Sequence, residues 1–156
     1  MVEKLILFRV NNQMYGINVE YVYAIESITD IVRVPNAPNY IEGIIHLRGE
    51  VVPVYSLRKK LNMPEKEVDT DSQFIVVRNK EQVFAFVVDG VDEIYEVKES
   101  SYMEPPKVLQ SEATSYLEGV INVKGKLVLG INVHHLLNET EKAIIQQFVN
   151  GFSVEE

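Results

Sequence analysis

Residues 40–61 read YIEGIIHLRGEVVPVYSLRKKL and residues 116–137 read YLEGVINVKGKLVLGINVHHLL, and the two strings superpose without a gap. Tyr, Glu, Gly, Ile, Gly and Val are identical at 40/116, 42/118, 43/119, 45/121, 49/125 and 52/128. Most other pairs exchange one apolar or one cationic side chain for another, as at Leu47/Val123 and Arg48/Lys124. Short apolar strings match by chance; glycines, tyrosines and cation-glycine dipeptides in fixed register do not. The chain therefore contains an internal duplication, and its fold has to hold the same local unit twice.

That unit has the chemistry of a β-hairpin. Apolar, β-branched residues 44–47 and 120–123 run into Arg48-Gly49 and Lys124-Gly125, and a second apolar run follows at 51–55 and 127–131. Glycine reaches positive φ without a Cβ clash, so an X-Gly pair between two such runs predicts a tight turn. Ser56 and Asn132 follow, each suited to cap a short helical segment at 57–61 or 133–137.

A weaker echo extends the repeat towards the N-terminus, QMYGINVEYVYAI at 13–25 lying against QVFAFVVDGVDEI at 82–94. Residues 5–10 and 14–19 read as strands about the Asn11-Asn12 turn. Residues 20–27 read as a further strand, with Tyr21, Tyr23 and Ile25 alternating against Val22, Ala24 and Glu26. A hairpin is expected over 74–78 and 82–88, turning at Asn79-Lys80-Glu81. Two prolines keep helix out of 31–38, residues 61–72 are a polar surface connection, and 98–115, with Pro105-Pro106, form a long loop. Pro53 has no N–H for a ladder, so an edge strand or a bulge is expected there. Residues 138–151 read as a helix: Asn138 and Glu141 make a capping pattern, and Ile144, Ile145, Phe148, Val149 and Phe152 form an apolar stripe expected to pack on the body of the protein.

Each half has some five short strands, too few to hold a core alone. The expectation is a mainly β chain, one domain over 1–156, with two small barrels packed about a pseudo-two-fold axis. The first spans about 15–70, the second about 72–137 plus the N-terminal strand, and the helix follows at 138–151.

Chemistry-bearing motifs are scarce. The chain has no cysteine, and its three histidines, His46, His134 and His135, form neither HExxH nor any other zinc pattern. Neither a glycine-rich nucleotide loop nor GxSxG is present, and Asp89, Asp92 and Glu93 read as a charged surface rather than an acid/base pair. No catalytic residue, cofactor or metal is expected. The net charge of −8 lies wholly in residues 69–156, residues 1–68 being balanced. Such a balance disfavours nucleic acid and anionic lipid. The one basic run, Arg58-Lys59-Lys60, reads as a solvated face. No segment has the length to cross a bilayer or the pattern of a signal peptide, so a cytoplasmic protein without membrane insertion is expected. Two roles fit Arg48: a turn residue paired with Glu26 or Glu50, or a fork presented to a partner's carboxylates.

Val34-Pro35, Ala37-Pro38, the run from Ile41-x-Gly43-Ile44-Ile45 through Leu47-Arg48-Gly49 to Val51-Val52-Pro53-Val54, Leu57, Val87-Val88-Asp89-x-Val91, Pro105-Pro106 and Tyr116 to Leu137 resemble the CheW family of chemotaxis coupling proteins. The resemblance covers about residues 4–138. It implies two intertwined five-stranded SH3-like barrels and a non-catalytic adaptor. The implied partners are the regulatory domain of a CheA-type histidine kinase and the tip helices of methyl-accepting chemoreceptors, with a receptor helix lying in the groove between the barrels. Carried onto this chain, it points to Val22, Ile25, Gly43, Arg48 and Gly49 as protein-binding residues. The chain departs from the family pattern at His46, where Asn is usual, at Ala24, where an acidic residue is common and Glu26 stands two places on, and at His134. Other readings are a coupling module of a different two-component scaffold and a small-barrel enzyme built on the acidic second half.

Overall fold

The computed structural model describes residues 2–78, 82–110, 114–133, 135–136, 141–143 and 146–147. In chain order its elements are β1 Val2–Val10, β2 Gln13–Asn18, β3 Val22–Ser27, β4 Ile41–Leu47, β5 Glu50–Tyr55, α1 Leu57–Lys60, β6 Gln73–Arg78, β7 Val83–Val88, β8 Gly90–Lys98, β9 Leu117–Val123 and β10 Lys126–Ile131. Among the described residues, three two-residue turns set hairpins. Asn11-Asn12, Arg48-Gly49 and Lys124-Gly125 have φ of 52° and 65°, 51° and 82°, and 51° and 85°. Positive φ at both central residues is the signature of the type I′ turn, whose twist matches that of its strands. Both duplicated hairpins pair antiparallel as expected.

The strands form two five-stranded sheets, barrel 1 in the order β3-β6-β7-β5-β4 and barrel 2 in the order β8-β1-β2-β10-β9. Each order becomes the other when β1 to β5 exchange with β6 to β10, so the duplication generates both. Its two copies are not the two barrels, however. The first copy gives β1 and β2 to barrel 2 and keeps β3 to β5, while the second gives β6 and β7 to barrel 1 and keeps β8 to β10. This corrects the expected division near residue 70, because residues 73–88 belong with the first barrel. The swap is closed by two parallel pairings, β2 with β10 and β7 with β5.

Three apolar clusters follow from it. Leu5, Leu7, Val97, Ile121, Val123 and Val128 fill barrel 2; Ile45, Val52, Val54, Phe74, Val76 and Ala85 fill barrel 1. The largest lies between the barrels and includes Ile6, Phe8, Tyr15, Ile17, Tyr55, Ile75, Val77, Phe84 and Phe86. Successive residues of β1, β6 and β7 thus bury opposite faces in different cores, which is why these strands read as unbroken apolar runs. At roughly 1.5–3 kcal/mol for each buried large side chain, the inter-barrel layer is the main source of stability.

Several local features depart from expectation. Residues Val19–Tyr21 make a 3-10 turn, capped by Asn18, whose side chain accepts from Glu20 N at 2.9 Å, so β3 begins only at Val22. Pro53 lies in β5, an interior strand and not an edge, but β5 pairs with β7 only from Val54 onward, so no ladder bond is lost. Residues 98–115 carry 3-10 turns at Glu99–Ser101 and Lys107–Leu109. Ser56 caps α1 by accepting from Lys59 N at 3.2 Å, whereas the described residues among 133–136 form turns rather than a helix. The basic run is not a solvated face: Arg58 pairs with Asp89 at 2.7 Å, both side chains under 15% exposed, and Lys60 lies 3.8 Å from Glu141. Asp89 also accepts from Asn11 N at 2.8 Å, so this pair ties α1 of barrel 1 to a hairpin of barrel 2. The expected turn at 79–81 lies outside the described residues. Of the expected C-terminal helix, residues 141–143 and 146–147 are helical, and the stripe from Ile144 to Phe152 lies outside the described residues.

Candidate docking site

Of the five residues singled out from the sequence, Val22 and Ile25 lie on β3, Gly43 on β4 and Arg48-Gly49 in the turn after it, and a bulge decides what the first two do. On β3, Val22 stands opposite Val77 and Ala24 opposite Val76, leaving Tyr23 as an extra residue. One inserted residue changes the alternation of the strand. Ala24 therefore faces the interior of barrel 1, while Ile25, opposite Ile75, shares the face of Val22, opposite Val77. Ile75 and Val77 belong to the inter-barrel core. The expected simple alternation would have separated Val22 from Ile25; the bulge unites them. Val22 packs half-buried on that core, and Ile25, 37% exposed, continues it outward along an edge strand.

Arg48 braces the other face of this edge strand, the face of Ala24 and Glu26. Its Nη2 donates to Glu26 Oε1 at 3.1 Å while the side chain stays 59% exposed. Its guanidinium carbon lies 5.6 Å from the centroid of the Tyr23 ring, and that of Arg78 lies at 4.2 Å. Glu50, the other partner considered for Arg48, lies instead 3.6 Å from Arg78. Two guanidinium groups, each with its own carboxylate, thus flank an exposed tyrosine beside Ile25. Cation–aromatic contacts of this kind are worth about 0.5–1 kcal/mol at a surface.

The two glycines serve the scaffold in different ways. Gly49 has open space around its Cβ direction and is needed for its φ of 82°. Gly43 lies against the Val32 carbonyl oxygen, and a Cβ there would also meet Ile31 Cγ2 at 2.7 Å. The close approach that Gly43 permits is thus of the chain's own backbone, where Val32 and Ile44 exchange hydrogen bonds at 2.9 Å each way.

Sequence reasoning did not name Val91 and Ile94 as candidate docking residues. On β8, Ile94 stands opposite Ile6 and Val91 opposite Phe8, with a bulge between, so both share the inter-barrel face. They are the duplication's counterparts of Ile25 and Val22, and the alignment of 13–25 with 82–94 already paired them. Ile94 is 61% exposed. Ser27 at the end of β3 and Ile28 after it line one cavity of about 450 Å³ with Gly90 and Val91 of β8, so the two edges meet at one end.

A larger cleft, about 680 Å³, lies beside α1, and several of its charges pair with one another: Arg58 and Lys66 with Asp89 at 2.7 and 3.9 Å, and Lys59 with Glu65 at 3.9 Å. Its Glu42 carboxyl is held above the ordinary carboxylate range by burial, against the pull of Arg33 and Lys59. His46 is an exposed strand residue opposite Val51. Among the described residues no three His, Asp or Glu side chains gather as a metal site.

Comparison with known proteins agrees with this architecture. The CheW-like domain model matches residues 4–141. The chain belongs to the CheW family. The chemotaxis protein CheW of Bacillus subtilis is 33% identical over 137 residues, 88% of each chain, and that of Klebsiella aerogenes is 27% identical over 143 residues, 92% of this chain and 86% of the relative. Among solved structures, the scaffolding protein TtCheW of Thermoanaerobacter tengcongensis superposes with a TM-score of 0.78 at 29% identity, covering 88% of this chain and 89% of that one. That likeness extends to the two intertwined five-stranded SH3-like barrels. Among the described residues no helix is long and apolar enough to cross a membrane.

Proposed function

We propose that this chain is a non-catalytic cytoplasmic adaptor that couples chemoreceptor tips to the regulatory domain of a CheA-type histidine kinase. Membership of the CheW family and the likeness to a scaffolding protein support the adaptor role. The observation that carries the docking reading is the β3 bulge, which turns Val22 and Ile25 onto one apolar edge, with the Arg48–Glu26 pair on the other face of the strand. A helix presenting an apolar stripe fits such an edge, its i, i+3 and i+4 side chains meeting Val22 and Ile25. Arg48, Tyr23 and Arg78 then supply a polar rim able to meet acidic residues beside that stripe. An edge strand left open otherwise invites association, and here the bulge and the charged rim restrict what can lie on it. The interface expected is of the modest size usual for transient signalling contacts.

Calorimetric titration with the kinase regulatory domain and, separately, with a receptor-tip helical hairpin tests the reading. Micromolar binding of each is expected. Ile25→Asp should weaken the receptor tip by at least tenfold, about 1.4 kcal/mol, and Arg48→Ala by several-fold, both variants staying folded and still binding the kinase domain. Absence of binding by the unmodified chain, or full receptor binding by Ile25→Asp, would refute it.

A further inference from the structure

The cleft beside α1 holds a carboxylate that the fold positions but does not pair. On β4, Ile41 stands opposite Tyr55 and Gly43 opposite Val54, so Glu42 is an extra residue, a bulge. A bulge re-aims the side chain it carries, and Glu42, half-buried, lines the cleft. The cleft has apolar lining as well. Ile28, Ile31 and Val87 continue from the barrel 1 core, Ile41 and Leu57 from the inter-barrel core.

Four cations line the same cleft, and each makes its short contacts elsewhere. Arg33 donates to the Glu42 carbonyl at 3.1 Å and not to its carboxylate. Arg58 donates to Asp89 at 2.7 Å and to the Pro64 carbonyl at 2.8 Å, and Lys59 to the Asn39 carbonyl at 2.7 Å. Lys66 lies 3.0 Å from Asp69. Among the described residues the Glu42 carboxylate has neither a hydrogen bond nor an ion pair, and the exposed carboxylates of Asp30 and Glu67 have none either. Those three carboxylates stand against one guanidinium, that of Arg33, which has no carboxylate of its own. Desolvation without a partner is also what raises the Glu42 carboxyl.

What complements such a cleft is a cation on an aliphatic stem. Lysine and arginine lay their stems on apolar surface while the charged head bonds a carboxylate. Backbone is at hand too. Residues 28–31 and 65–68 border the cleft without regular structure, and among the described residues they make no backbone–backbone hydrogen bond. Their N–H and C=O groups can bond the backbone of a second chain, which favours a peptide over a small amine.

We propose that this cleft receives a segment of a partner protein carrying a lysine or arginine, its cation on Glu42, its stem over Ile41 and Leu57 and its backbone along residues 28–31 and 65–68. The site is separate from the reading of β3 as a docking edge, since Glu42 lies at the start of β4 and Arg48-Gly49 beyond its end.

The test uses the full chain and an array of acetylated octapeptides with alanine and valine flanks and lysine, arginine, glutamine or glutamate at the centre. Retention on lysine and arginine peptides should exceed that on glutamine and glutamate by about fivefold. Glu42→Gln, which keeps the shape of the side chain, should erase that preference while its amide spectrum stays that of the folded protein. Glu118→Gln, at the matching bulge of β9 where the side chain is exposed, should preserve it. Amide shifts caused by the best lysine peptide should be confined to residues 28–31, 42 and 65–68. Equal retention of all four peptides, a preference that survives Glu42→Gln, or shifts outside the cleft overturns the proposal. So does an equal response of the same amides to n-butylammonium chloride at the peptide's concentration, because the site would then be one for a small cation.

Discussion

At the rim of barrel 1 the guanidinium of Arg78 lies 4.2 Å from the Tyr23 ring centroid; at the matching place on barrel 2, Arg9 meets Asp92 at 3.1 Å. Arg48 holds Glu26 at 3.1 Å, whereas Lys124, its counterpart, lies 4.0 Å from Glu93 and is 76% exposed. Glu93 occupies the position equivalent to Ala24. The first copy has no acidic residue there, and its turn cation pairs instead with Glu26, two residues along on the same face of β3. Beneath these rims the scaffolds agree in the turn φ values, the edge-strand bulges, and the bridges of Val32 with Ile44 and Met103 with Val120. Duplication preserved what packing and backbone geometry require and let the solvent-facing chemistry diverge, so one edge is neutral and aromatic and the other acidic. A partner can tell two barrels of one fold apart by that difference alone.

Substitution of the matched glycines should separate the copies most. Gly43→Ala drives a methyl into the Val32 carbonyl at a backbone φ of 154° and should cost about 3 kcal/mol, since backbone strain and overpacking add. Gly119→Ala meets mainly the Tyr102 ring, at 2.9 Å, and a side chain can yield; about 1 kcal/mol is expected. Urea denaturation of both variants measures the gap, and equal losses would mean that the two covers are equally rigid.

The matched carboxyls come next. Partial desolvation raises both Glu42 and Glu118 above the ordinary carboxylate range, with Glu3 adding to the effect at Glu118. An unfolded Glu titrates near 4.3, so between that pH and the raised folded value the native state binds more protons than the unfolded chain. Stability contributed by these groups falls as pH rises through that window. Glu42→Gln should then stabilise the protein at pH 7 and have no such effect below about pH 4. Glu118 is exposed, solvent screens it, and its Gln variant should gain less. Melting temperatures at the two pH values decide, and a larger gain at Glu118 would reverse the assignment of which carboxyl is the more desolvated.

Smallest are the turn cations. Arg48→Ala and Lys124→Ala remove exposed ion pairs and should each change stability by no more than about 0.5 kcal/mol. Thermal unfolding would expose a structural role for Arg48 if its loss exceeded that of Lys124 by more than about 1 kcal/mol.

Much of the fold was readable because the duplication repeats turn chemistry, and turn chemistry is local. Arg48-Gly49 and Lys124-Gly125 announce their hairpins, and Ser56 its cap, with no knowledge of anything distant. The basic run misled for the opposite reason: nothing near Arg58 in sequence shows that Asp89, at the crossover between barrels, will lie 2.7 Å away. The docking edge was half readable. Val22 and Ile25 were named through a family resemblance, yet a residue count puts them on opposite faces of a regular strand. Val91 and Ile94 were not named as docking residues although the repeat had already paired them.

The sequence by itself determined that one unit of hairpin, cap and turn occurs twice, since glycine, asparagine and proline impose their backbone angles whatever surrounds them. Only the tertiary structure decided that the two copies exchange their first hairpins, that strands such as β1 and β6 bury both faces, and that one extra residue at Tyr23 turns Val22 and Ile25 the same way. Those outcomes depend on which strand lies opposite which. Pairing and register are settled by the whole inter-barrel core at once, and no local stretch of chain encodes them.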